Sequence, residues 1–317
     1  MEINYIILGH KNPDQILRLV HSLNYREISF YIHIDKKVKI APFQQMLNEF
    51  PNVHLLDYSK RKSIIWGDFS IVEATLNAMQ QIVADGKNGY CVLLSGQDYP
   101  LRNPEFITQT LDQNHEKHYI DIFPMPGIWG SSGTDRIRKY KINKSLKRGH
   151  FTLLPSIFDQ HFFTKETAGK INYLIKTKKF QEIRRIFQKR KFPSFLLPHG
   201  GSQWWAFPTE TVTRILEFLK DHPGYCRYHK YTLIPDEIFF HSILAYFFKG
   251  DNLKIAPSLT YVNWEKPTGP LPATFEKDNL KELTEASQYK LFARKFDIEQ
   301  DQEIFVLIEK ELILKRF

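Results

Sequence analysis

From Ile3 to Phe123 short apolar runs alternate with amphipathic segments, and this alternation constrains the fold more than any other feature of the chain. The runs "INYIILG", "SFYIHID", "VHLLD", "YCVLLSG" and "YIDIF" have the length and composition of strands buried on both faces. Between them, "NPDQILRLVHSL", "APFQQMLNEF", "SIVEATLNAMQQIVAD" and "NPEFITQTLDQN" carry apolar residues at helical spacing, with Asn12-Pro13 as a helix start. Strands regularly separated by helices make βαβ units and a mostly parallel sheet. Such sheets bind ligands in the loops after the carboxyl ends of their strands. Here those loops hold Gly9-His10, His33 with Asp35, and Gly96-Gln97-Asp98-Tyr99, and "IIWGD" (Ile64 to Asp68) precedes a helix.

The middle of the chain differs. Residues 136–191 hold 17 Lys/Arg against 3 Asp/Glu, while the remainder holds 27 against 32. The segment "INYLIKTKKFQEIRRIFQKRK" reads as one cationic helix, and the irregular region around it as an insertion or lid. A basic stripe attracts phosphates, anionic lipid headgroups or acidic polymers; a solvated helical face is the simpler reading. No nucleic-acid recognition motif accompanies it, so no nucleic-acid partner is expected. Strand-like character resumes at "HGGSQWWAF". Helical "ETVTRILEFLKDHPG" and "PDEIFFHSILAYFF", strand-like "LTYVNW" and the amphipathic "QEIFVLIEKELILKRF" follow. The expectation is one domain of 317 residues: a nucleotide-binding half (1–125), a basic insertion (126–198) and a catalytic half (199–317). No run approaches the ~18 apolar residues of a membrane span. "MEINYIILGH" has neither a basic start nor a long apolar stretch, so a cytoplasmic protein is expected. Cys91 and Cys226 form no metal-ligand or disulfide pattern.

Several residues have chemical potential, each with a plainer alternative. Glu237 follows Pro235 in a first helical turn, where the helix dipole favours the ionised form; it reads as a general base or as an ordinary first-turn acid. Asp35, at a strand end, can accept hydrogen bonds from a ribose or a base, or cap a turn. Asp98 is similar, with Gly96 allowing close backbone approach. His10 and His33 have no third metal ligand at plausible spacing. Trp66, Trp204, Trp205 and Trp264 can stack on sugars and bases, or fill the core. In "LFARKFD", Arg294 and Lys295 sit between Phe292 and Phe296. The pair can grip a diphosphate, whose leaving charge preorganised cations stabilise, or be solvated at a strand edge.

Taken in order, "YIHID", "IIWGDFSIVEATLNAM", "LLSGQDYPL", "GGSQWWAF", "LIPDEIFFHSIL", "TYVNW" and "LFARKFD" resemble the core-2/I-branching β-1,6-N-acetylglucosaminyltransferase family, which includes the peptide O-xylosyltransferases. The resemblance runs from about residue 4 to 298. It implies a GT-A type fold, a Rossmann-like nucleotide-sugar domain, and an inverting transferase using a UDP-sugar. It also implies no metal and no other cofactor, because the family lacks the Asp-X-Asp motif and this chain reads "SGQDYP" there. By the same matching, Glu237 is the catalytic base. Gly9, Asp35, Ile64, Ile65, Trp66, Gln97 and Asp98 fall on the UDP side. Ser202, Gln203 and Trp204 line the donor sugar, and Arg294 and Lys295 meet the diphosphate. Trp264, Arg136 and Arg138 fall on the acceptor side.

Departures from the family pattern refine these expectations. The branching enzymes carry a further diphosphate arginine where this chain has Leu271-Pro272, so Arg294 is expected to supply the missing charge. Gln203 stands where xylosyltransferases have Asp, which leaves GlcNAc the first-choice donor sugar and xylose the second. The family's Golgi anchor and disulfides have no counterpart, so the resemblance implies a bacterial, cytoplasmic relative. Its acceptor would be a glycan or lipid-linked glycan, with peripheral contact to anionic membrane. A non-catalytic glycan- or polyanion-binding module on the same fold is the alternative.

Overall fold

The computed structural model describes residues 1–249, 251, 254–265 and 271–314. The first half runs β1 (Ile3–Gly9), α1 (Pro13–Leu23), β2 (Ile28–Ile34), α2 (Ala41–Leu47), β3 (Val53–Leu55), α3 (Ser70–Ala84), β4 (Tyr90–Ser95), β5 (Asp98–Pro100), α4 (Pro104–Gln113) and β6 (His118–Pro124). A middle region follows, with α5 (Gly130–Arg138), β7 (Tyr140–Asn143), β8 (Phe151–Leu154), α6 (Lys165–Lys176) and α7 (Phe180–Arg185). The last part contains β9 (His199–Pro208), α8 (Thr209–Asp221), α9 (Pro223–His229), α10 (Phe239–Phe247), β10 (Ile255–Ala256), β11 (Thr260–Val262), α11 (Leu280–Ala286), β12 (Phe292–Arg294) and α12 (Glu303–Ile308).

The main sheet has the order β10-β6-β9-β4-β1-β2-β3. Neighbours β3, β2, β1 and β4 are parallel, as are β10 and β6, whereas β9 runs antiparallel to both β4 and β6. This is the mostly parallel α/β sheet of the GT-A reading. Strand β1 explains why the runs lack polar alternation. Ile3, Tyr5 and Ile7 enter one core, while Ile6 and Leu8 enter the other. Helices α1, α2, α4, α11 and α12 close the first core; α3, α8, α9 and α10 close the second. Among the described residues no helix is long and apolar enough to cross a membrane.

Two smaller units sit against this sandwich. Strands β11, β12 and β5 form a three-stranded sheet, parallel between β11 and β12 and antiparallel between β12 and β5. The hairpin β7–β8 and helices α6 and α7 enclose a separate core of Tyr140, Ile142, Leu154, Leu174 and Ile186. That unit is tied down from below: the Lys141 amide donates to the Tyr231 carbonyl at 2.9 Å, and Asn143 Nδ2 donates to Asp68 at 2.7 Å.

Three expectations about local structure need correction. The cationic helix expected over residues 171–191 is two helices, broken where Lys178 takes φ +56°. The terminal helix narrows to α12 and a wider π turn, Glu309–Ile313, and its last three residues lie outside the described residues. The Pro235 segment opens as a 3₁₀ turn, Pro235–Glu237, before α10 starts at Phe239.

The "LFARKFD" segment is held by its aromatic residues. Phe292 and Phe296 are fully buried in the first core, and Phe296 packs against Tyr99, Phe275 and Phe305 at ring separations of 5.9, 5.3 and 5.6 Å. Removing a buried Phe side chain typically costs about 3–5 kcal/mol. Phe296→Ala should therefore lower unfolding free energy by that amount in urea titrations, and a loss below about 1 kcal/mol would mean that the segment is not core-anchored.

Candidate active site

With Phe292 and Phe296 sunk in the core, the residues between them are carried to the carboxyl ends of the parallel strands. Arg294 lies directly across from Asp98 in the β12–β5 register. Its Nη1 donates to Asp98 Oδ1 at 3.0 Å and also to the Ser95 hydroxyl, and its guanidinium lies 4.7 Å from the Trp204 ring centre. Asp98 is wholly buried and accepts from the Ser95 amide as well. Burial raises its carboxyl above the ordinary aspartate value, against the pull of Arg294. Arg294 is therefore an ion-paired cation that stiffens the site. Gln97 joins in: its carbonyl accepts from the Phe296 amide at 2.8 Å, and its Nε2 donates to the Phe296 carbonyl at 3.3 Å.

Lys295 behaves differently. Its backbone is fixed, the amide donating to Ala273 and the carbonyl accepting from Phe275. Its ammonium has no ion-pair partner among the described residues. Desolvation lowers its pKa, and the charges of Arg294, Arg148 and Lys11 lower it further, against Asp297. Lys11 is paired with Asp297 at 2.5 Å, and Lys37 lies 3.4 Å from Asp35. Arg148, from the β7–β8 loop, stands 5.1 Å from the Trp66 ring centre and has no carboxylate partner among the described residues. Three site cations are thus balanced by acids, while Lys295 and Arg148 keep their charge free.

The other UDP-side candidates lie at the ends of β1 and β2 and in the loop before α3. The Gly9 carbonyl accepts from the Asp35 amide at 2.8 Å, joining the ends of β1 and β2. Buried Asp35 accepts from the Lys37 amide at 2.9 Å. Lys37 Nζ donates to the Ile64 carbonyl at 2.6 Å, and the Ile65 amide to Ser70 Oγ at 3.1 Å. Trp66 is 42% exposed, which leaves a face for stacking. In β9, the Ser202 carbonyl accepts from His241 Nε2 at 2.9 Å, Trp204 is buried under Arg294, and Gln203 Nε2 is buried without a partner among the described residues. Trp205 belongs to the core, stacked on Phe207 at 4.3 Å.

Glu237 closes the 3₁₀ turn. The turn is tied to the "IIWG" loop, because the Ile234 amide donates to the Gly67 carbonyl at 3.0 Å. Gly67 takes φ +64° and Ile234 φ +53°, a conformation that β-branched residues rarely adopt and that marks a tightly determined corner. Glu237 Oε2 accepts from Arg136 Nη1 at 2.7 Å, and Arg136 rests on Trp129 at 3.9 Å. The setting expected for Glu237, the first turn of a helix, needs correction: it ends a 3₁₀ turn ahead of α10, and Arg136 holds its carboxylate. Burial raises its carboxyl above the ordinary glutamate value, and Arg136 is what opposes the rise. Asp236 beside it is pushed up to about 7 by burial and then by the Glu237 charge. Arg136 therefore touches the candidate base itself, while Arg138 and Trp264 are exposed, Trp264 in the loop after β11.

The arrangement offers a carboxylate of raised basicity, free cations for an anion, and an exposed ring for a flat ligand. Among the described residues no three His, Cys, Asp or Glu side chains gather as a metal-binding group. Sequence reasoning missed Lys11, Lys37, Asp297, Asp236 and Arg148. Lys11 and Lys37 were findable as cations just after strand ends; Arg148 had no local signal, because a separate unit delivers it.

A family model described as Core-2/I-Branching enzyme matches residues 3–288. Curated relatives include Xylosyltransferase 2 of Homo sapiens, 23% identical over 98% of this chain, and Xylosyltransferase of Ciona intestinalis, 23% identical over 96%. The chain spans about a third of the length of these relatives, 34% and 33% respectively. Among solved structures, a 4-diphosphocytidyl-2C-methyl-D-erythritol synthase from Anaerococcus prevotii DSM 20548 aligns over 91% of this chain and 95% of its own, with 12% identity and a TM-score of 0.39.

If Arg136 holds the charge on Glu237, Arg136→Gln should make Glu237 titrate at higher pH than in the unaltered protein. Carbon NMR of labelled glutamate carboxyls would read this, and an unchanged midpoint would remove Arg136 from that role.

Proposed function

The chain belongs to the Core-2/I-Branching enzyme family, and from that premise we propose that it is an inverting glycosyltransferase moving a sugar from a UDP-sugar to a glycan hydroxyl without a divalent ion. The observation that carries the proposal is the division of charge among the candidate residues: a Glu237 carboxyl raised by burial and held by Arg136, and Lys295 and Arg148 free of carboxylate partners among the described residues. Glu237 takes the proton of the acceptor hydroxyl as its oxygen attacks the anomeric carbon. The bond from that carbon to the UDP oxygen breaks, and its electron pair stays on the diphosphate. Lys295 and Arg148 stabilise that charge, with Arg294 as the rigid, half-neutralised support behind them. Asp35 and the Ile64–Trp66 loop hold the nucleoside; Gly9, Gln97 and Asp98 shape the floor. Ser202, Gln203 and Trp204 meet the donor sugar, and Trp264, Arg136 and Arg138 the acceptor.

UDP-GlcNAc is the first-choice donor, and the unpartnered Gln203 Nε2 is suited to a sugar hydroxyl or amide oxygen. A xylose donor is the second reading, favoured by the xylosyltransferase relatives. We further propose that the basic middle region rests on an anionic membrane from the cytoplasmic side and meets a lipid-linked glycan. Exposed Leu146, Phe158, Phe163, Phe180 and Phe187 interleave with its lysines and arginines, the mixture that interfacial binding uses.

In EDTA, turnover of one UDP-sugar should persist. Glu237→Gln should lower it about 100- to 10,000-fold while UDP affinity stays within about twofold. Turnover that vanishes in EDTA and returns with magnesium or manganese would sink the metal-free mechanism; an unaffected Glu237→Gln would sink the base. For the membrane, vesicles rich in phosphatidylserine should pull down the protein at low salt and release it at high salt. Failure to bind at low salt rejects that contact.

A further inference from the structure

Between the basic unit and α8–α9 lies a cleft of about 600 Å³. Its walls carry Arg185, Lys189, Arg190, Lys191 and Arg227, with Asp221 as the one acid. None of these cations forms an ion pair among the described residues. Arg190 is the floor. Its guanidinium lies 4.2 Å from the Tyr228 ring centre and 5.1 Å from that of Tyr140, and Arg185 lies over Tyr231 at 4.9 Å. Arg190 Nη1 donates to the Tyr228 carbonyl at 3.2 Å and Nη2 to Thr232 Oγ1 at 2.8 Å, but its Nε is buried with no partner among the described residues.

Ring faces and one helix-end carbonyl offset part of the cost of burying Arg190. They do not explain why four more cations converge on it. The guanidinium is desolvated, and no carboxylate among the described residues pairs with it. Like charges gathered round a buried one are unfavourable unless an anion joins them. Forked guanidinium donors match phosphate oxygens, and lysines add compact charge at the rim.

We propose that this cleft is a second anion site, separate from the strand-end site, which takes a phosphate or diphosphate ester with Arg190 beneath and Arg185, Lys189 and Arg227 around it. The cleft also has a mechanical path to the donor loop. Tyr231 accepts from the Lys141 amide at 2.9 Å, and Lys141 Nζ reaches Asp68, just after Trp66, at 3.2 Å. An occupant can therefore steady the loop that carries Trp66.

Inorganic pyrophosphate is the probe, titrated calorimetrically into the full chain saturated with UDP, so that the strand-end site is filled. About one equivalent should bind. The surface triple variant Arg185→Gln/Lys189→Gln/Arg227→Gln, which spares the buried Arg190, should weaken it at least tenfold, whereas Lys295→Ala should leave it within twofold. If UDP itself does not bind, the donor reading fails, and pyrophosphate binding lost only in the triple variant still identifies the cleft. Vesicles with and without phosphatidic acid separate the sources. Binding that pyrophosphate competes away assigns a lipid headgroup; pyrophosphate binding with no gain on such vesicles assigns a soluble ester. Absence of pyrophosphate binding, or equal affinity in the triple variant, overturns the proposal.

Discussion

Asp98 has no contact with solvent, yet its carboxylate is met by a guanidinium from a strand almost two hundred residues away. A buried ion pair contributes little net stability, because desolvation consumes most of the Coulombic gain. Breaking it from one side is costly, typically about 3–5 kcal/mol. Such a pair selects between arrangements more than it stabilises any of them. Here it fixes the β12–β5 register, and with it the direction in which the next residue, Lys295, leaves the core. The charge division at the strand ends depends on this. Arg294 is used up by Asp98, so that Lys295 need not be.

The same economy runs through the neighbouring groups. Lys11 answers Asp297, and Lys37 answers Asp35. Each pair keeps a cation in position without adding net charge to the cavity. Arg148 comes from a unit with its own small core, pinned through Asn143 and Lys141 to Asp68. A region that looks in sequence like an insertion thus contributes a side chain to the strand-end wall.

The sheet was legible because its strands bury both faces, and continuous apolar runs such as "INYIILG" have few other uses. Glu237 and Lys295 could be singled out from their neighbours, but an expected role for either came from the order of motifs, since neither has a distinctive local setting. The small sheet was only partly legible, because strands of three residues leave no periodicity. The break between α6 and α7 was hidden because Lys178, a residue with no special liking for positive φ, makes the turn. The setting of Glu237 was misjudged for a related reason. A carboxyl near a helix start is usually solvated, but this one is desolvated by chain that arrives from α5 and the "IIWG" loop, which no reading of its neighbours reveals. Arg294 was legible as a cation and illegible as a paired one, because its partner lies far away in sequence.

Strand β9 lies between β4 and β6 and runs against both. The ribosome therefore releases β1 through β6 long before the strand that joins them exists. Until residue 208 has emerged, β4 and β6 each present an open row of amides and carbonyls, the kind of edge on which nascent chains associate wrongly. β4 and β6 can be joined only when the segment that also carries Ser202, Gln203 and Trp204 slots in, so this junction of the sheet and that stretch of the candidate site form in one event.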